Sequence, residues 1–265
     1  MNYGVIRFVV GWTLMLEGAL MVPSAAVAVI YGEDVFWDFA AAIALCIICG
    51  LLAKMKRPAK REFFAREGCV SVALSWVALS VMGSLPFLFS GAISDPIDAL
   101  FETVSGFTTT GASILPEVES LPRSILFWRS FTHWIGGMGV LVFLLILLPM
   151  TGGFSMNIMK AESPGPSVSR LVPKVRTTAK ILYSIYIGMT IIQVVLLVLG
   201  KMSLFDALTL TFGTAGTGGF GIRNDSVGSF SSYHQIVTTI FMILLESILT
   251  RIILFCWEKP KRLLK

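Results

Sequence analysis

The amino-acid sequence predicts an all-α membrane protein with six transmembrane helices and two re-entrant pore-helix/filter loops. Three observations carry that reading. Apolar runs long enough to cross a bilayer recur along the chain. Basic residues gather in alternate linkers. Two short Gly/Thr-rich segments occupy matching places in an internal repeat.

Hydrophobic residues make up 55% of the 265 positions and charged residues 14%, with a mean hydropathy of +0.81. A soluble domain carries about a quarter charged residues, so the composition is displaced toward what a bilayer demands. The net charge of +5 does not point to nucleic acid. The charges form short blocks between apolar runs, which is a topology signal, and the aromatic–basic interleaving of single-strand binders is absent.

Spanning the hydrocarbon core takes about 20 apolar residues. Six segments meet that length, at 5–30, 35–54, 68–92, 124–150, 179–200 and 233–256. The first lacks a small-residue cleavage site and reads as a retained span rather than a signal peptide. The linker after the second span carries Lys54, Lys56, Arg57, Lys60, Arg61 and Arg66. That after the fourth carries Lys160, Arg170, Lys174, Arg176 and Lys180, and the tail has Lys259, Lys261, Arg262 and Lys265. Basic linkers face the cytoplasm. The intervening turns are acidic or mixed, with Glu33 and Asp34, with Asp95, Glu117, Glu119 and Arg123, and with Arg223 and Asp225; they then face outward, and the N-terminus is cytoplasmic.

Two stretches, 95–115 and 203–221, are too short to cross and fall on the outer side, so each enters and leaves from one face. They resemble each other: SDPIDALFETVSGFTTTGAS and KMSLFDALTLTFGTAGTGGFG share Asp-Ala-Leu (98–100 and 206–208) and then a Thr-Gly pair, Thr110-Gly111 and Thr217-Gly218. Aligning both features requires one gap. Each stretch opens on a helix-start signal, Asp95-Pro96 with Asp98, and Ser203 with Asp206. About 12 helical residues follow, roughly 18 Å at 1.5 Å per residue, or half a membrane. Each reads as a half-helix descending from outside and a Gly/Thr strand climbing back.

Irregular backbone at membrane depth must be buried in protein or line water. Glycines allow carbonyls to aim inward, threonines add hydroxyl oxygens, and a dehydrated potassium ion needs such a cage. The helix C-termini would favour a cation between them. The competing reading, a small-residue packing surface, explains one such stretch better than two in register. The candidate filter lies at 108–113 and 214–220, with Thr109, Thr110, Gly111, Gly216, Thr217 and Gly218 as ion-binding residues and potassium placed at Thr109, Thr110, Gly111, Thr217 and Gly218.

SGFTTTGAS followed by LPRSILFWRSFTHWIGGMGVLVF, and then TFGTAGTGGFG, resemble the two first repeats of the Trk/Ktr/HKT superfamily of potassium transporters, in particular its bacterial Trk potassium-uptake membrane subunits. The resemblance covers roughly residues 5–243. It implies two extra helices followed by four span–pore loop–span repeats around one pore, each repeat giving a key glycine, here Gly111 and Gly218. It implies potassium uptake, in some members with sodium, across the cytoplasmic (inner) membrane. It also implies a homodimer in lipid, gated by a cytoplasmic nucleotide-binding regulatory subunit. No cofactor beyond the transported ion, no nucleic acid and no enzyme activity is expected.

On that plan residues 1–60 form two N-terminal helices, 61–155 the first repeat, 156–178 a cytoplasmic linker and 179–265 the second repeat. Two strands cannot close a fourfold filter. The chain is expected to be either part of a longer protein or one of several that combine, and a truncated, non-conducting remnant or scaffold that assembles with a full-length relative is the alternative function. Glu246 and Arg251 fall near mid-depth in the last span, where a charge costs about 2.5–3.5 kcal/mol, so the frame is expected to be aberrant after about 244.

Among the other polar residues, Cys46 and Cys49 form a C-x-x-C that reads as helix packing. His133 and His234 read as interfacial anchors. Glu17 reads as a hydrogen-bonding group between helices. Gly136, Gly137 and Gly139 read as a hinge or a close-packing site.

Overall fold

The computed structural model describes residues 2–55, 65–139 and 175–262. Every regular element among them is a helix: α1 (Tyr3–Tyr31), α2 (Phe36–Lys54), α3 (Ala65–Gly83), α4 (Leu85–Phe89), α5 (Pro96–Phe107), α6 (Arg123–Gly137), α7 (Val175–Leu199), α8 (Leu204–Ala215) and α9 (Ser232–Arg262). Among the described residues, four stretches are long and apolar enough to cross a membrane: Tyr3–Tyr31, Phe36–Lys54, Glu67–Phe89 and Leu182–Leu199. They carry the first, second, third and fifth expected spans. The third is broken at Ser84 into α3 and α4. The fourth expected span is helical over Arg123–Gly137, and its continuation from 140, with the linker to 174, lies outside the described residues. So do the basic linker 56–64 and the side chain of Arg251. Glu246 is exposed on α9.

α1 and α2 form an antiparallel pair held by close backbone approach. A Cβ on Gly50 would stand 2.8 Å from the Gly11 carbonyl oxygen, and one on Gly18 would press on Cys46. Small residues at such crossings let helices in lipid touch along their backbones. Cys46 is buried in this seam, and its thiol and that of Cys49 are free, as the packing reading expects. The turn between the two helices is a Schellman-type stop. Gly32 takes φ 67, its N–H donates to Val29 O, and the Glu33 N–H donates to Ala28 O, satisfying carbonyls that the helix end leaves open.

The same turn reaches across to α6. The Glu33 carboxylate accepts from the Arg123 N–H (2.7 Å), the Ser124 N–H (3.1 Å) and the Ser124 hydroxyl (2.5 Å). An acidic side chain is thereby lodged on the free N–H groups and positive end of a helix. α6 is buried along most of its length. It packs between the two half-helices α5 and α8 and bears an aromatic row, Phe127, Phe131 and Trp134, that surrounds Phe212 of α8 with ring centroids 5.2–5.9 Å apart. Around this centre, large apolar side chains such as Ile48, Ile191, Ile192, Val195 and Leu199 face outward, the surface that lipid requires. The chain is a multi-pass membrane protein.

A side chain at position 50 has no room, because a Cβ there would meet Met15 Cγ at 2.6 Å and the Gly11 carbonyl oxygen at 2.8 Å. Gly50→Leu is expected to lower stability by at least about 1–3 kcal/mol, the usual cost of overpacking, seen as a reduced thermal-unfolding midpoint in detergent. Gly188→Ala, at a helical position with open space around its Cβ, should leave the midpoint unchanged or slightly raised.

Candidate functional site

α5 and α8 are 12-residue helices with the same start and the same finish. Asp95 caps α5, its carboxylate accepting from the N–H groups of Ile97 (2.7 Å) and Asp98 (3.2 Å). Ser203 caps α8, its hydroxyl accepting from the Asp206 N–H at 3.1 Å. At the far ends the Thr108 N–H donates to Val104 O and the Thr109 N–H to Gly106 O. The Gly216 N–H donates to Phe212 O and the Thr217 N–H to Thr214 O. Beyond each end the chain bends through paired left-handed residues, Thr109 (φ 54) and Gly111 (φ 75) in the first loop, Thr217 (φ 57) and Gly219 (φ 76) in the second.

Every member of these pairs stands the same number of residues from its counterpart, so the two loops align without the gap that the Thr-Gly match required. In this register Gly111 corresponds to Gly219, and Gly218 to Thr110. The Thr-Gly dipeptide is a local likeness. Backbone conformation sets the true correspondence.

A β-branched residue in the left-handed region is a genuine outlier and costs of order 1–3 kcal/mol. Two of them, Thr109 and Thr217, at equivalent points, are held there by their surroundings. The strands lie against each other: a Cβ on Gly111 would overlap the Gly218 carbonyl, and one on Gly218 would fall 2.7 Å from Thr109 O. Thr109, Thr110, Gly111, Thr217 and Gly218 retain accessible surface, whereas Gly216 is buried beneath the His133 carbonyl. Gly216 closes helix α8 and does not line a surface. Among the described residues no group of three or more His, Cys, Asp or Glu comes together.

Behind the strands sits a buried ion pair. Glu102 of α5 accepts from Arg129 Nε of α6 at 2.5 Å. The same carboxylate accepts from the Ser113 hydroxyl (3.0 Å) and the Ile114 N–H (3.0 Å) on the first strand. Arg129 Nη1 donates to Gly221 O at 2.7 Å, and its guanidinium lies 3.7 Å from the Phe220 ring on the second strand. One pair therefore pins both strands from behind. Four residues further along α6, His133 is fully buried, its ring 3.9 Å from Phe220 and packed against Gly218.

A profile of the family TrkH, described as cation transport protein, matches residues 37–261. The chain belongs to the TrkH family. Among its relatives, the Trk system potassium uptake protein TrkH of Vibrio parahaemolyticus is 36% identical over 248 residues, 92% of this chain and 51% of that protein. The Trk system potassium uptake protein TrkG of Escherichia coli K12 is 33% identical over 233 residues, covering 86% and 48%. The crystal structure of the potassium transporter TrkH from Vibrio parahaemolyticus superposes with a TM-score of 0.76 at 33% identity, covering 91% of this chain and 49% of that one. The chain spans about half the length of the relatives it matches. TrkH is a cation-transport family and not an enzyme family.

Several side chains of this TrkH-family chain stand where the sequence did not place them. His133 is not an interfacial anchor. It is the eleventh residue of α6, about 15 Å below the helix start at 1.5 Å per residue, and it is buried against Gly216, Gly218 and Phe220. Gly136 and Gly137 meet the Phe107 carbonyl and Gly216 Cα, which is close packing. The Glu17 carboxylate is buried between helices, with no hydrogen-bond partner among the described residues. Glu102 and Arg129 carry no motif. Their signal was a charge inside an apolar stretch, which marks function or pairing in a membrane.

Removing one partner of a buried pair leaves an uncompensated charge, at about 3–5 kcal/mol. Glu102→Gln and Arg129→Met are each expected to reduce stability by about that amount. The double variant should lose clearly less than the sum, as measured by thermal or SDS-induced unfolding. Additive losses would show that the two groups are not coupled.

Proposed function

We propose that this chain contributes to potassium uptake across the cytoplasmic membrane, with the 108–113 and 214–220 strands lining the ion path. Oxygens of Thr109, Thr110, Gly111, Thr217 and Gly218 replace water around the ion, Gly216 shapes the second strand, and Gly219 takes the backbone role that Gly111 has in the first. The observation that carries this reading is the matched pair of half-helices ending in the same strained, left-handed Thr/Gly bend. Each turns a helix C-terminus, partly negative, toward the strands. Ring-like cages of carbonyl oxygens select potassium by replacing its hydration shell. The relatives named as potassium uptake proteins support the choice of ion.

Six spans, two re-entrant loops, a cytoplasmic N-terminus and the division into 1–60, 61–155, 156–178 and 179–265 belong to the same proposal. So do a homodimer in lipid and a cytoplasmic nucleotide-binding regulatory subunit. The second reading is a truncated, non-conducting remnant or scaffold that assembles with a full-length relative.

Complementation of a bacterium lacking its potassium-uptake systems, at low external potassium, tests the proposal. Growth is expected with the wild-type chain and is lost in Gly111→Ser, because a side chain there meets the Gly218 carbonyl. Absence of growth despite stable membrane expression supports the scaffold. The structural register adds a second expectation. Gly219→Ala, which forces a Cβ into the left-handed region at about 1–2 kcal/mol, should lower 86Rb+ uptake, an outcome that the Thr-Gly register places at Gly218 alone.

A further inference from the structure

The buried carboxyl of Glu17 takes no part in holding the two strands. It is the fifteenth of the 29 residues of α1 and is 1% exposed, so it sits at the middle of a helix long enough to cross a membrane. Neither oxygen has a hydrogen-bond partner among the described residues. Its Oε1 lies 3.0 Å from where a Cβ on Gly83 would stand, at the end of α3, and the Phe107 ring and Thr103 of α5 close on the same point. Glu17 is thus enclosed by helices of its own chain, and any further segment reaches it only by parting α1 from α3.

The seam that ends at Glu17 is polar along its length. Thr13, one turn before it, is buried, and its Oγ1 lies 3.3 Å from Ser75 Oγ of α3. Ser71 and Glu67 precede Ser75 by one and two turns on the same face of α3, and both are buried. At the start of α1 the Asn2 N–H donates to Glu67 Oε1 at 3.3 Å. A file of polar side chains therefore runs up the seam of α1 and α3 from the Asn2 end to Glu17. Hydroxyl residues pack helices in lipid at little cost, because a hydroxyl can donate to the carbonyl one turn back, as Thr13 does to Val9 O. An ionised carboxylate only accepts. Unpartnered in an apolar interior, such a group takes up a proton.

No cation stands beside it among the described residues. From α2 the Cys46 thiol packs next to it, against Gly18. Asp38 and Asp98 are the third residues of α2 and α5, and Lys54 stacks on Trp12 at the other end of α2. Arg7 is ten residues earlier on α1. Glu102 and Arg129 pair with each other, and His133 lies against Gly218 and Phe220.

We infer that Glu17 is a proton-binding site, loaded and emptied along the file of hydroxyls from the end of α1 that carries Asn2. The proton is held as a carboxylic acid O–H. Along the file each hydroxyl oxygen accepts one proton and releases its own to the next group, so the residues between are unchanged after a transfer. Loss of the proton leaves a charge beside Gly83. The seam between α3 and the last turn of α5, which leads into Thr108–Gly111, must then open to hydrate it. The site is read from burial and polar pattern alone and does not rest on the pore reading.

Infrared spectra of the full chain in lipid at neutral pH test it. The C=O band of a protonated carboxyl is expected in the wild type, absent from Glu17→Gln, retained in Glu67→Gln and displaced in Glu17→Asp. In D2O that band shifts as the proton exchanges. The double variant Thr13→Val, Ser75→Ala keeps the acid and should exchange about tenfold more slowly, the effect of one lost hydrogen bond on a transfer step. Because the folded chain holds a proton that the unfolded chain releases, the unfolding constant of the wild type should rise relative to that of Glu17→Gln. The rise is up to about tenfold per pH unit above the ordinary value of a free glutamate, about 4.3. A spectrum unchanged in both Glu17 variants, or an unfolding ratio independent of pH, would overturn the site. Equal exchange in the double variant would overturn the path.

Discussion

The Glu102–Arg129 pair is the constraint around which the membrane-embedded centre is arranged. Neither charge can stand alone in an apolar interior, and each uses its remaining hydrogen-bonding capacity on a loop that has no helix or sheet of its own. Glu102 holds Ser113 and Ile114, and Arg129 holds Gly221 and stacks on Phe220. Two strands with no ladder between them are thus positioned by a single bidirectional anchor. The anchor carries no net charge of its own, so neither loop meets an unbalanced charge in the apolar interior.

Around that anchor the backbone approaches more closely than side chains would allow. Gly136 lies on Phe107, Gly137 on Gly216, and Gly111 on Gly218. Such contacts have no soft side-chain atoms to give way. The strain at Thr109 and Thr217 is sustained for this reason: the helix above each bend is capped, the strand below is bonded to the pair, and α6 fills the space behind.

What the sequence disclosed was local. The Asp-Ala-Leu repeats, the caps at Asp95 and Ser203, the 12-residue half-helices and the apolar spans all follow from residues within a turn or two of one another, and the structure has these caps and helices where the sequence put them. The family followed from the same motifs. What it did not disclose depends on distance along the chain. Nothing near Glu102 in sequence announces a partner 27 residues on, and the depth of His133 emerges only once α6 has a fixed start. The repeat register went astray through trust in a dipeptide. Glycine is common enough in such loops to match by chance, whereas a left-handed φ pattern is not.

The Schellman turn at Gly32 and Glu33 has a consequence for how the protein can change over generations. Exposed turns between helices usually accept insertions freely. This one supplies the carboxylate that caps α6, the helix that bears Arg129 and His133. Lengthening the turn by even a residue would draw that carboxylate off its target, so variation should be funnelled away from this short connection. The first two helices are thereby bound to the evolutionary fate of α6 and of the two loops it holds.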